Sequence, residues 1–210
     1  MRINMDFRQR VVIATAAQDW VVSPAKGVQR RMLDRAGAES GHATSLVRFA
    51  PDSYFPEHSH PGGEEYLVLE GTFSDAGGDC GPGTYVRNPI GSAHSPFTKD
   101  GCIIFVKLCQ MDAADQDHIR IDTAGDEGWR PGPVEGLSVR PLHAYGGERV
   151  SLARFQPGTR YAGHGHPGGE EILVLDGTLA DEHGSYPTGT WLRMPADSRH
   201  APFKIGRAHV

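Results

Sequence analysis

One passage of this chain is written twice. The stretch "HSHPGGEEYLVLEG", His58 to Gly71, returns as "HGHPGGEEILVLDG", His164 to Gly177, an offset of 106 residues (164 − 58). The register then holds without a gap: Asp75 falls on Asp181, Gly83 on Gly189, Pro89 on Pro195, His94 on His200, and "SPF" (95–97) on "APF" (201–203). Upstream, "LVRFAPDS" (46–53) answers "LARFQPGT" (152–159), and Trp20 and Gly27 answer Trp129 and Gly136 at an offset of 109. Solenoid repeats have periods of roughly 20–50 residues, so a period this long is a duplicated domain. The 210 residues therefore divide into a first domain over 1–109, a polar linker over 110–117 and a second domain over 118–204.

Each copy reads as strands. "TSLVRFA", "EEYLVLEG", "GTYVRN" and "GCIIFVKLC" are β-branched or aromatic runs bounded by Gly, Pro, Asp or Asn. No long stretch has the 3.6-residue periodicity of a helix. Short strands at close spacing, punctuated by 27 glycines and 15 prolines, predict an all-β sandwich or barrel. The first copy has one strand, "GCIIFVKLCQ" (101–110), that the second lacks; after "APFK" only "IGRAHV" remains. Those six residues resemble the conceptual translation of a sequencing-library adapter. The second domain is therefore expected to lack its last strand, with 205–210 a non-native tail outside the fold.

The net charge of −5 argues against a nucleic-acid or anionic-membrane surface. No run approaches the ~20 apolar residues of a membrane span. "VVIATAAQ" (11–18) is too short for a signal peptide, so the expected location is cytoplasmic. Cys80, Cys102 and Cys109 are odd in number and show no CxxC spacing, which leaves a disulfide framework or zinc knuckle without support.

The chemistry lies in the repeated motif. Alternate side chains of an extended strand share a face, so His58 and His60 point the same way. "PGG" then turns the chain, and Glu64 enters the next strand facing back toward the imidazoles. His94, after the turn "PIGSAH", is the candidate fourth ligand. The second copy supplies His164, His166, Glu170 and His200. A single HxH in a strand is more often a surface or core feature. Two copies, each with the downstream histidine in register, are not explained that way. Three imidazoles and a carboxylate suit one divalent transition metal per domain, with Zn or Fe foremost and Mn, Ni or Cu compatible. Acid should weaken binding through the histidine range near ~6.5.

These residues resemble the cupins, whose motifs are G-x5-H-x-H-x3,4-E-x6-G and G-x5-P-x-G-x2-H-x3-N. His58, His60, Glu64 and Gly71 fit the first, with Ser53 or Asp52 where its leading Gly belongs. Gly83, Pro89, Gly91 and His94 fit the second, with Thr98 replacing the final Asn. In the second copy Asp197 replaces the Gly of "PxG", a departure that bears on the turn before His200. The resemblance implies two tandem cupin (double-stranded β-helix, or jelly-roll) barrels. More narrowly, "HPGGEEYLVLEGTFSD", "GTYVRNPIGSAHSPF" and "GCIIFVKL" look like the cupin domain of ChrR-type anti-sigma factors. In that group the cupin binds zinc, and a separate helical domain with its own His/Cys zinc site grips the sigma factor. Residues 1–30 show no such segment and no cysteine.

Three functions follow as expectations. The first is a ChrR-like, divalent-metal-binding sensor, regulatory or small-molecule-binding module. The second is a metal-dependent dioxygenase acting on a small aromatic, diketone or hydroxyketone, since double cupins are common among such enzymes. The third, a storage or structural double cupin with degraded sites, is opposed by the two full ligand sets. The expected partners are a small-molecule ligand or substrate, with no nucleic acid and no membrane; a second copy of the chain, in a homodimer, is left open.

Overall fold

A computed structural model describes residues 1–37 and 41–209, with side chains through Lys204. It is built from β-strands; its one short 3-10 turn, among the described residues, is Thr15–Ala17. The chain forms two compact units, Met1–Met5 with Asp19–Asp126, and Asp6–Gln18 with Glu127–Val210.

In the first unit the long sheet runs, in hydrogen-bonding order, Arg2–Ile3, Val28–Ala36, Ala43–Phe49, Cys102–Leu108, Glu64–Gly71, Thr84–Asn88 and Ile119–Asp122, with Val21–Val22 paired on Val28–Ala36. A smaller sheet orders Gly78–Cys80, Phe73–Asp75, Phe97–Thr98 and Ser53–Tyr54, and Ala93–His94 pairs with His58–Ser59. Strand alternation explains the core. Along Glu64–Gly71 the residues Tyr66 and Val68 are buried against Phe49, Phe73, Val86 and Ile104. Glu64 has the same parity as Tyr66 and Val68, so the pleat turns its carboxyl to the interior. Glu65 faces the other way, where it accepts hydrogen bonds from the Tyr85 hydroxyl (2.7 Å) and Arg87 (2.9 Å).

The second unit repeats this plan. Its six-stranded sheet orders Arg130–Pro131, Leu137–Tyr145, Glu148–Phe155, Phe203–His209, Asp176–Asp181 and Gly184–Pro187. A three-stranded sheet holds Val11–Ala14, Thr190–Met194 and Glu170–Leu173, and His164–His166 pairs with Ser198–His200. Leu137, Phe155, Val174, Leu179, Tyr186 and Leu192 form the core.

Two expectations from sequence are corrected. The units do not divide at the 110–117 linker with 1–109 on one side and 118–204 on the other. Val11–Ala14 pairs with Thr190–Met194 in the second unit, while Ile119–Asp122 pairs with Thr84–Asn88 in the first. The two strands occupy equivalent places, since Val11 lies opposite Arg193 and Ile119 opposite Arg87. Each unit is therefore completed by a strand from the segment leading into the other repeat. A β-ladder needs only backbone donors and acceptors, so it does not register which repeat supplied them.

The second correction concerns the last strand. Phe203–His209 lies between Glu148–Phe155 and Asp176–Asp181, as Cys102–Leu108 lies between Ala43–Phe49 and Glu64–Gly71. The backbone of 205–209, expected outside the fold, thus joins the sheet. Its pairing to Glu148–Phe155 is brief, Arg154 opposite His209 and Phe155 opposite Ala208, and its register on Asp176–Asp181 slips between Asp176 and Thr178.

Candidate metal centres

The turn that builds the first centre is set by glycine. Gly63 has φ +77°, and its amide closes the turn on the His60 carbonyl at 3.2 Å. A Cβ there would sit 2.3 Å from Met111 Sδ, so the methionine would have to move, and the left-handed backbone would strain any side chain. The chain leaves the turn at Glu64 with its carboxyl pointing back at the histidines. Side-chain ligand atoms of His58, His60, Glu64 and His94 all lie within 4.8 Å of one another. The three rings stand with centroids 4.8–5.0 Å apart.

The far side of each ring fixes its tautomer. His58 Nδ1 lies 3.0 Å from the Pro56 carbonyl and His94 Nδ1 3.4 Å from Asp75 Oδ2. Ser92 donates its hydroxyl proton to the Pro89 carbonyl (2.6 Å), so its oxygen accepts from His60 Nδ1 at 2.9 Å. With Nδ1 carrying the proton in each ring, every Nε2 presents a lone pair to the common space. Nε2 of His60 and of His94 are buried without a hydrogen-bond partner. Orphaned buried acceptors are costly, and a cation is what would satisfy them together. The donor set fits a borderline divalent metal.

Burial favours the neutral forms of His60, His94 and Glu64. Desolvation, reinforced by the neighbouring His94 and His58, drives His60 down to about 3. Desolvation also lowers His94, with Asp75 opposing it. Burial raises Glu64 to about 7, although the Asn88 amide, donating to Oε2 at 3.0 Å, favours the carboxylate. The 3.4 Å approach of His60 Nε2 to Glu64 Oε2 is therefore no ion pair below neutral pH, because both groups are neutral. Below neutral pH Glu64 therefore holds a proton that competes with a metal. The histidine range near ~6.5, expected from sequence to govern acid sensitivity, does not apply to His60.

The second centre keeps the plan with fewer restraints. His164, His166 and His200 bring their ligand atoms within 4.8 Å of one another, a set that Glu170 does not join. Glu170 Oε2 is nonetheless 3.5 Å from His166 Nε2 and 3.3 Å from His200 Nε2. Nε2 of His166 and His200 and Oε2 of Glu170 are buried atoms without hydrogen-bond partners. Where Asn88 steadies Glu64, the matching residue is Met194, which has no proton to offer. The Glu170 side chain is 26% exposed against 8% for Glu64. Burial and the charge of Asp181 raise Glu170 to about 7, and desolvation lowers His166 to about 4. Tyr161 stacks on His164 at 4.1 Å, where Phe55 meets His58 edge-on at 4.7 Å.

Asp197 does not spoil the turn before His200. It takes φ +61°, in the region where Gly91 sits at +85°. Its amide bonds the His166 carbonyl at 2.9 Å, as Gly91 bonds that of His60 at 3.0 Å. Aspartate is among the few residues that tolerate this conformation.

Behind the rings lie residues whose roles the motif alone does not disclose. Asp75 and Asp181 back His94 and His200 from equivalent positions. Their recurrence at the 106-residue offset was the available signal. Arg87 is engaged with Glu65 and Asp115, and Trp191 donates to Glu171 at 2.8 Å, so both brace the sheet.

The ChrR cupin-like domain family matches residues 8–112 and again 116–209. No curated protein matches the sequence. Among solved structures, a proposed dioxygenase from Nostoc punctiforme aligns with a TM-score of 0.77 at 18% identity, covering 96% of this chain and 81% of that one. The pirin YhhW from Escherichia coli, in complex with nickel(II), gives 0.67 at 12% identity over 96% of both chains. A variant of the oxalate decarboxylase OxdC from Bacillus subtilis gives 0.60 at 15% identity, over 94% of this chain and 74% of that one. At such identities the likeness is one of fold.

Proposed function

Because the chain belongs to the ChrR cupin-like family across both repeats, we propose that it is a two-site divalent-metal protein. It works in this reading as a metal-dependent sensor or small-molecule-binding module. The observation that carries this is the set of buried, unpartnered Nε2 atoms, two in each unit, turned toward a carboxylate. His58, His60, Glu64 and His94 would hold one ion; His164, His166 and His200, with Glu170 beside them, would hold the other. A bound ion would supply Lewis acidity and, if iron, a route to dioxygen chemistry. The chain's own part is to keep His60, His94, His166 and His200 in their neutral forms by burial and to orient the rings.

The test is metal stoichiometry. Wild-type protein should carry about two ions per chain, and His58→Ala with His60→Ala about one, since each unit has its own donor set. An unchanged ratio would show that these histidines are not ligands. Tightly held zinc without turnover is the expected state.

A second reading, a metal-dependent dioxygenase for a small aromatic, diketone or hydroxyketone, is favoured by one feature of the second centre. Glu170 has no hydrogen bond at Oε2 and is partly exposed, so it can yield its place to an incoming ligand. The fold shared with a proposed dioxygenase is consistent with this. Iron retained under anaerobic purification, with oxygen uptake on a panel of such substrates, would select it over the first reading.

A further inference from the structure

The geometry points to Arg120 and Arg10 as positioning residues for the two centres, each supplied by the exchanged strand segment. This rests on the metal-binding reading above. In the first unit Asp75 Oδ2 faces His94 Nδ1 at 3.4 Å, while Oδ1 accepts from Arg120 Nη2 and from the Gly77 amide, both at 2.8 Å. Arg120 also donates through Nη1 to the Gly77 carbonyl at 2.7 Å, so it clasps both ends of the Asp75–Gly77 turn. In the second unit Asp181 Oδ2 faces His200 Nδ1 at 3.4 Å. Its Oδ1 accepts from the Tyr186 hydroxyl at 2.5 Å and the His183 amide at 2.8 Å. Arg10 donates to the Tyr186 hydroxyl and stands 3.8 Å from Asp181 Oδ2.

The two arginines are not sequence equivalents. Arg120 lies within Ile119–Asp122, whereas Arg10 precedes Val11–Ala14. Both nonetheless reach the aspartate behind the third histidine, by different routes. Duplication does not produce that convergence by copying one residue twice. A carboxylate behind a ligating imidazole fixes ring and tautomer and raises the basicity of the other nitrogen, and a cation holding that carboxylate keeps it charged and in place. Neither arginine belongs to the repeat whose histidine it supports: Arg120 follows the linker, in the second copy, and Arg10 lies at the start of the first. Metal affinity in each unit therefore depends on the exchanged segment being docked.

The experiment reads one site at a time. With His164→Ala and His166→Ala silencing the second centre, Zn2+ and Co2+ affinity of the first is measured by chelator competition. Arg120→Met should weaken binding about 10–100-fold and alter the visible spectrum of bound Co2+. Arg120→Lys should recover much of the loss, and Asp75→Asn, which preserves shape, should lose as much as Arg120→Met. The mirror experiment uses Arg10→Met in a His58→Ala, His60→Ala background. Affinities within threefold of the parent for both Arg120→Met and Asp75→Asn, with an unchanged Co2+ spectrum, overturn the assignment. If Arg120→Met does not fold, Asp75→Asn alone decides. A parent that takes up neither metal overturns the metal-binding reading itself, and this inference with it.

Discussion

Glu64 is where the first centre meets its pH. Burial raises it to about 7, whereas His60 is driven down to about 3. In the metal-free protein Glu64 is thus largely protonated at pH 6 and ionised at pH 8, while His60 is neutral at both. An incoming cation must displace the glutamate proton, so affinity falls as pH drops below about 7, and binding at pH 6 should release about one proton at this site from the carboxylate. Calorimetry in buffers of different ionisation enthalpy measures this directly, and Glu64→Gln should lower the release. An equal count at pH 6 and pH 8 would place the competing proton elsewhere. Asn88 supplies the only hydrogen bond described to this carboxylate. Asn88→Met, which installs the second unit's residue, should weaken the first centre about 5–30-fold, on the order of 1–2 kcal/mol for a buried hydrogen bond.

At the scale of elements the exchanged strands and the turns decide. Removing 1–18 should impair the second unit's metal uptake more than the first's, because Val11–Ala14 covers the edge of Thr190–Met194, whereas the first unit loses only the two-residue strand Arg2–Ile3 at the end of its sheet. Hydrogen exchange with metal counting checks this; loss confined to the first unit would contradict the exchange. Asp197 occupies a left-handed backbone position at φ +61°. Asp197→Val should destabilise the second unit by roughly 1–2 kcal/mol, and Asp197→Gly should be neutral or mildly stabilising, as read by denaturant midpoints. A strand between Glu148–Phe155 and Asp176–Asp181 is already formed by Phe203–His209.

For the whole molecule, the duplication makes two metal-linked stabilities. An ion at 100 times its dissociation constant stabilises the unit that binds it by about 2.7 kcal/mol. Wild type should therefore gain thermal stability throughout, while the His58→Ala, His60→Ala variant should gain it only in residues of the second unit. Titrated slowly, metal should enter the first centre before the second, since four donors converge there, the carboxylate is held by Asn88 and the site is more enclosed. Calorimetry or Co2+ spectra resolve the order; equal occupancy from the first addition would show that these restraints do not matter to affinity. Among the described residues no helix is long and apolar enough to cross a membrane.

The repeat, the all-β class and the eight candidate donors were legible in the residues alone, because strand parity and a glycine turn are local rules. Parity alone turns Glu64 inward with Tyr66 and Val68 and sends Glu65 to Arg87. Local rules do not say which strand closes which sheet. Val11–Ala14 and Ile119–Asp122 sit beside their own repeats in sequence and pair across them in space, since ladder hydrogen bonds are blind to chain order. Nor do they foresee that Asp197 can adopt the conformation of Gly91, or that 203–209 can pair as a strand. The sequence by itself named the candidate donors. Only the tertiary structure gathered them, buried Glu64 and so raised it to about 7, and brought Arg120 and Arg10 behind the aspartates that orient His94 and His200.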